Sequence, residues 1–214
     1  MTSLATPSRS RLGPALDPPR ESGRRALDAD LIRRSLAGDA GASRELHRHY
    51  YPIVSSFLRK LGTRPHELED ACQEVFTLFF RHVGSFRGDA ELKTWVFRLC
   101  VSEARRTRRR RRIGAALAAI LRSQPPENVV APAARSDATV NELARLALDR
   151  MTPDQRLAFV LFELEGLPGR EVAEVAGKSL PSTFRRLYEA QRIFRETLGI
   201  EQPGPDPEKE GRGT

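Results

Sequence analysis

Cysteine is nearly missing from this chain, with Cys72 and Cys100 the only two among 214 residues. Each sits inside an apolar helical pattern, so a disulfide framework is excluded and a reducing cytosol fits best. Both read as small core hydrophobes. Long apolar runs are missing too. No stretch approaches the roughly eighteen apolar residues that a membrane span needs, so membrane insertion is not expected. The N-terminal arginines are followed by no apolar segment, which excludes a secretory signal. The four histidines, His47, His49, His66 and His82, show no metal-ligand spacing of the HExxH type. There is no glycine-rich phosphate loop and no nucleophile elbow. An enzyme is therefore not expected, and neither is a cofactor or a bound metal. Sustained alternation of apolar and polar residues is also absent, which argues against strands.

What the chain has in quantity is charge. Lys and Arg number 36 against 28 Asp and Glu, a formal net charge of +8, and charged residues make up 30% of the total. Such a balance points to a polyanionic partner. Charge alone does not separate DNA from RNA or anionic lipid. The basic residues are unevenly placed, and their placement narrows the choice.

Residues 1–26 are rich in Pro, Ser, Arg and Gly and read as a disordered extension. The prolines and charges of residues 200–214 read as a frayed tail. Between these ends the periodicity is helical. Leu46, Tyr50, Ile53, Val54, Phe57, Leu58 and Leu61 recur at steps of three and four up to Gly62. Leu68, Cys72, Val75, Phe76, Phe79 and Val83 do so up to Gly84. A third pattern runs from Leu92 through Trp95, Val96, Leu99 and Cys100 into an arginine run. These predict a helical bundle over 27–112. Residues 113–138 read as a flexible to semi-rigid linker containing Pro125, Pro126 and Pro132, although Gly114–Leu121 suits a short apolar helix. A second helical domain is expected over 139–199. Within it, Thr152-Pro153-Asp154-Gln155 is a helix start, with Thr152 as cap and Gln155 as capping-box partner. A short helix at about 169–176, a turn containing Gly177, and a longer basic helix at about 181–198 form a helix-turn-helix pattern. The fold class is therefore all-α, with two small helical domains on a flexible linker.

Three groups of residues carry candidate chemistry. In a helix-turn-helix the early residues of the second helix reach the major groove. Ser182, Arg185 and Arg186, with Lys178 in the turn, are thus candidates for base and phosphate contacts, because the arginine fork binds guanine or phosphate at two points. The run Arg105, Arg106, Arg108, Arg109 through Arg112 neutralises phosphates and carries no sequence information by itself. It follows Phe86, Trp95 and Phe97, and basic residues among aromatics suit single-stranded nucleic acid; Trp95 also suits a plain core position. Glu67, Glu69, Asp70 and Glu74 open the second helix. They suit either the helix dipole or a docking face for a basic protein.

The order of these motifs resembles the extracytoplasmic-function sigma factors of bacterial RNA polymerase. Asp30-Leu31-Ile32-Arg33-Arg34, Gly38-Asp39 and Leu46 through Pro52 look like the opening of that family. Glu69 through Phe76 resembles its EDLVQETF segment. Phe86-Arg87-Gly88 and Thr94 through Arg98 resemble FRG…TWLYRI, and Ala147 through Pro153 resembles ALDRLPP. Phe162 through Leu167, Glu171 through Glu174 and Ser179 through Leu187 continue the match. It covers roughly residues 28–112 and 140–198.

The resemblance implies a promoter-specificity subunit. Its first domain docks on the clamp helices of the polymerase largest subunit through Glu69, Asp70, Gln73 and Glu74. The same domain melts and reads the −10 element through Phe86, Arg87, Lys93, Trp95, Arg98, Arg105, Arg106, Arg108 and Arg109. The second domain reads the −35 element through Lys178, Ser182, Arg185 and Arg186. The implied partners are core RNA polymerase (clamp helices and flap) and promoter DNA, with an anti-sigma factor as a further candidate. Some positions depart from the family. Ser102 and Arg106 stand where an Asn and an Asp are usual, and Thr183, Phe184, Lys178 and Pro181 are unusual in the reading helix. A degenerate sigma-like regulator working through protein contacts is the alternative. A stand-alone helix-turn-helix regulator is disfavoured by the acidic segment.

Overall fold

The computed structural model describes residues 21–88, 91–121 and 140–200. The expectations for residues 1–20, for most of the linker and for the tail beyond residue 200 lie outside them. Among the described residues every regular element is helical. Four helices form the N-terminal unit: α1 (Glu21–Leu36), α2 (Ala40–Lys60), α3 (Leu68–His82) and α4 (Leu92–Leu121). The C-terminal unit holds α5 (Val140–Arg150), α6 (Pro153–Phe159), α7 (Gly169–Ala176) and α8 (Leu180–Leu198). Two boundaries differ from the sequence reading. α1 begins at Glu21, ahead of the expected boundary at residue 27. α4 runs without a break through the arginines to Leu121, where a linker was expected from residue 113.

The helix ends follow from local chemistry. Asp39 caps α2, one carboxylate oxygen accepting from the Gly41 and Ala42 N–H groups at 2.7 and 3.1 Å. Its other oxygen takes Arg34 at 2.7 Å. These donors hold the Asp39 carboxyl below the usual carboxylate range, with the Arg34 bond as the largest cause. Gly62 ends the α2 segment at φ +88°, a left-handed conformation in which a side chain would be strained. The expected capping box is present at α6. The Gln155 N–H donates to Thr152 Oγ1 at 3.4 Å, and the Thr152 N–H donates to Gln155 Oε1 at 2.8 Å. Thr152→Ala is expected to lower stability by about 1 kcal/mol, read as a downward shift of the thermal melt. Thr152→Ser should recover most of it.

After α6 the chain widens into one π turn, Val160–Leu164, closed by the Glu165 N–H donating to the Val160 carbonyl at 2.9 Å. Such turns insert a residue into the helical register. Here the insertion is followed by Glu165, whose side-chain ion pairs lie outside its own unit.

The core starts from aromatic and branched side chains on one face of each helix. Tyr50, Phe57, Leu58, Phe79, Phe97 and Val96 are fully buried. The rings of Phe57 (α2) and Phe97 (α4) stack at 4.2 Å. The Tyr50 hydroxyl donates to the buried Asp28 carboxylate at 2.8 Å, joining α1 to α2. Burial raises the Asp28 pKa against the opposing pull of that bond. Cys72 and Cys100 are buried free thiols, and burial pushes both upward.

The two units are not separated. Leu157, Val160, Leu161, Val172, Val175 and Leu187 belong to the same continuous apolar cluster as Phe57 and Phe97. α7 lies against α4. A smaller cluster of Met151, Phe159 and Ala190, with Phe194 at 4.8 Å from Phe159, joins α6 to α8.

Candidate polymerase and nucleic-acid interfaces

α3 has two faces. Ala71, Cys72, Val75 and Phe76 point into the core, while Glu69, Asp70, Gln73 and Glu74 are exposed. The spacing i, i+1, i+4, i+5 puts these four on one side of the helix, so the acidic segment forms a surface rather than a scatter of charges. Glu67 does not share it. Its carboxylate holds Arg111, with Nε at 2.7 Å, and that bond lowers its pKa.

Arg106, a candidate for the −10 element, is engaged within the fold. Its Nε donates to Glu103 at 2.7 Å and its Nη2 lies 2.7 Å from Glu74. Glu103 is almost fully buried, so Arg106 is held as the partner of a buried carboxylate and steadies Glu74 at the rim of the α3 face. An arginine where the family has an acid is thus explained by a charge inside this fold.

The aromatic group divides. Trp95 is half-buried, edge-on to Phe79 at 5.6 Å and tilted against Phe86 at 5.9 Å. Its ring is partly packed among these aromatics, whereas Arg87 and Arg109 are exposed. Lys93, Arg98, Arg105 and Arg108 of α4 face the other unit. Lys93 pairs with Glu165 at 2.9 Å, and Lys60 reaches the second oxygen of the same carboxylate at 2.8 Å. The Thr94 hydroxyl donates to Glu171 at 2.9 Å, and Arg98 donates to Glu174 at 2.7 Å. Arg105 donates to the Ala176 carbonyl at 2.7 Å. Arg108 is half-buried, and desolvation lowers its pKa against the attraction of Asp154.

In the C-terminal unit, α7, a turn at Gly177 (φ +65°) and α8 form the expected helix-turn-helix. Arg185 is exposed. Arg186 is engaged locally, donating to the Ser182 carbonyl at 3.0 Å and to the Ser182 hydroxyl, with Asp154 at 3.5 Å. Lys178 lies 3.4 Å from Asp154. Two of the unusual residues of α8, Thr183 and Phe184, point inward. Thr183 is buried, its hydroxyl donating to the Ser179 carbonyl at 3.0 Å. Phe184 packs edge-on to Phe162 and against Gly169, where a Cβ would sit only 2.6 Å from its ring. The large ring on α8 is thus matched by a glycine on α7. Sequence reading singled out Phe184 but not Gly169, whose pairing with it appears only once the helices cross.

Comparison with known proteins places these units. The Sigma-70 region 2 model matches residues 46–113, and the Sigma-70, region 4 model matches residues 141–191, together more than half of the chain. The ECF RNA polymerase sigma-E factor of Haemophilus influenzae is 26% identical over 189 residues, covering 80% of this chain and 95% of that protein. The chain belongs to the sigma-70 family, in its extracytoplasmic-function branch. A second relative of this sigma factor, the ECF RNA polymerase sigma factor SigM of Mycobacterium tuberculosis, is 26% identical and covers 83% of this chain and 87% of its own. Among solved structures, the fold resembles the sigma factor RpoE of Bartonella quintana, solved with the anti-sigma factor NepR. The TM-score is 0.62 at 20% identity, covering 74% of this chain and 98% of that one. CnrH, solved with the cytosolic domain of CnrY, gives a TM-score of 0.55 at 20% identity, covering 84% and 99%. As a sigma factor the chain is a promoter-specificity subunit of RNA polymerase and not an enzyme. Among the described residues no helix is long and apolar enough to cross a membrane.

Proposed function

We propose that the two units divide initiation between them as the sequence motifs imply. The α3 face of Glu69, Asp70, Gln73 and Glu74 docks on the clamp helices of the polymerase largest subunit. Phe86, Arg87 and the cations of α4 engage the −10 element as it opens. Lys178, Ser182 and Arg185 on the second unit meet the −35 element. Arg186 is assigned a positioning role, since it is already held by Ser182 and Asp154. The observation that carries this reading is the α3 face itself: four polar side chains exposed together opposite four buried apolar ones. The factor acts in the cytoplasm, where its polymerase and promoter lie. An anti-sigma factor is the kind of regulator that the solved sigma factors of similar fold point to.

Transcription from a genomic promoter library, with core polymerase and the purified chain, tests the reading. Specific start sites sharing two upstream elements are expected. Polymerase binding without promoter selection would favour a regulator acting through protein contacts. Arg185→Ala is expected to cost about 1–3 kcal/mol of discrimination at the upstream element alone. An equal loss on every DNA sequence, measured by competition binding, would reduce this arginine to a phosphate contact.

A further inference from the structure

We infer that the trough between α1 and α2 is a binding site for a small amphiphilic anion, a carboxylate head on a single apolar tail. The trough encloses about 1080 Å³, just above the usual span of about 300–1,000 Å³ for small-molecule sites. Leu27 and Leu31 of α1 and Pro52 and Ile53 of α2 make its apolar floor. On α1 the spacing is i, i+4, so one face of that helix is turned to the trough. Leu27 is 55% exposed, a large apolar side chain left uncovered at the centre of this surface.

The charges around the floor select the head group. Arg24 comes from one wall and Arg48 from the other. Arg24 donates to His49 Nε2 at 3.2 Å, and its remaining N–H groups are available to a ligand. Arg48 is exposed and makes no ion pair among the described residues. The acids of the trough do not cancel these cations. Asp28 is buried and accepts from the Tyr50 hydroxyl. Glu45 stands one helical turn beyond His49, away from Arg24. Beside Arg24 the trough adjoins a recess of about 30 Å³ that shares Asp28, His49 and Ile53 and adds Glu91 and Lys93, the volume of about one water. The polar corner therefore lies at the Arg24 end and the apolar floor runs on to Leu31. Length favours a small molecule over a protein helix. From Arg24 to Leu31 α1 rises only about 10 Å, two turns, whereas an ordinary helix of about three to four turns would overrun the trough.

Sodium decanoate, kept below the concentration at which it forms micelles, tests this on the full chain without polymerase or DNA. Isothermal titration should show one decanoate per chain, and the thermal melt should rise with decanoate concentration. Leu27→Asp sets a charge on the apolar floor and should weaken binding at least about tenfold. Leu117→Asp, at a leucine of α4 that is also 55% exposed, should leave binding unchanged. The wild-type chain should prefer decanoate to decanol by about tenfold, as expected for a charge-assisted contact to the head. Arg24→Gln combined with Arg48→Gln should erase that preference. Both arginines are exposed, so this double variant carries the test alone if Leu27→Asp lowers the melt of the free chain. Absent or unsaturable binding, equal loss in the Leu27 and Leu117 variants, or a preference that survives in the double variant each overturns the inference. Binding of an acidic amphipathic helical peptide at Leu27 with no binding of decanoate would give the trough to a protein partner and overturn it too.

Discussion

Asp70→Lys combined with Gln73→Lys is expected to abolish promoter-directed transcription while leaving the chain folded. Both side chains are exposed on α3, so neither change disturbs the core, and lysine is a good helix former. An acidic face of this kind is complementary to a basic partner surface. Placing two cations against it costs several kcal/mol through like-charge contact, which corresponds to a loss of at least about a hundredfold in affinity. Competition against the wild-type chain for core polymerase, followed by run-off transcription, reads the effect. The thermal melt should be unchanged within a degree or two. Undiminished polymerase binding by a folded double variant would remove α3 from the docking role. Glu74 is a poorer target, because its partner Arg106 also neutralises the buried Glu103. A change at Glu74 mixes docking with the integrity of α4.

Phe57→Ala is expected to have the largest effect on stability. The ring is fully buried and stacked on Phe97. It sits in α2 where α3 and α4 converge, and the same apolar cluster continues into Leu157 and Leu161 of the other unit. Truncating a buried phenylalanine costs about 3–5 kcal/mol, through lost transfer energy and the cavity left behind. Against a total stability of roughly 5–15 kcal/mol, that is a large share. Urea unfolding should show a much lower midpoint, and transcription should fail because folded chain is scarce. Phe57→Leu should cost markedly less. If the alanine variant melts within a few degrees of wild type, the stacked pair is not the joint of the helices.

Features set by neighbours in sequence were legible before the structure. The Thr152–Gln155 box, the Gly177 turn, the apolar faces of α2 and α3 and the acidic face opposite them all depend on residues within about two helical turns of each other. What remained hidden depends on pairing across long separations. Glu165, Glu171 and Glu174 have the spacing of an ordinary solvated helix surface, and only folding brings them to Lys60, Lys93, Thr94 and Arg98. Arg106 read as one member of a basic run because Glu74 lies on another helix and the burial of nearby Glu103 shows only in the fold. A run of like charges is silent about which members point outward, and here Arg106 and Arg111 point to carboxylates while Arg109 points to solvent. The continuity of α4 past residue 113 is masked in the sequence by Gly114 and the later prolines, yet Ala and Leu between them are strong helix formers.

That continuity gives α4 the mechanics of a lever. Its 30 residues make a rod about 45 Å long at about 1.5 Å per residue. The root is gripped by Phe57 and the C-terminal unit, while Ile113 and Leu117 near the tip are exposed. Two struts brace it from the side, Glu74 to Arg106 and Glu67 to Arg111. A tilt of about ten degrees at the root carries the tip through about 8 Å for a rod of this rise and length. The Glu74 strut meets the rod at Arg106, about halfway along it, so any displacement there is roughly doubled at the far end.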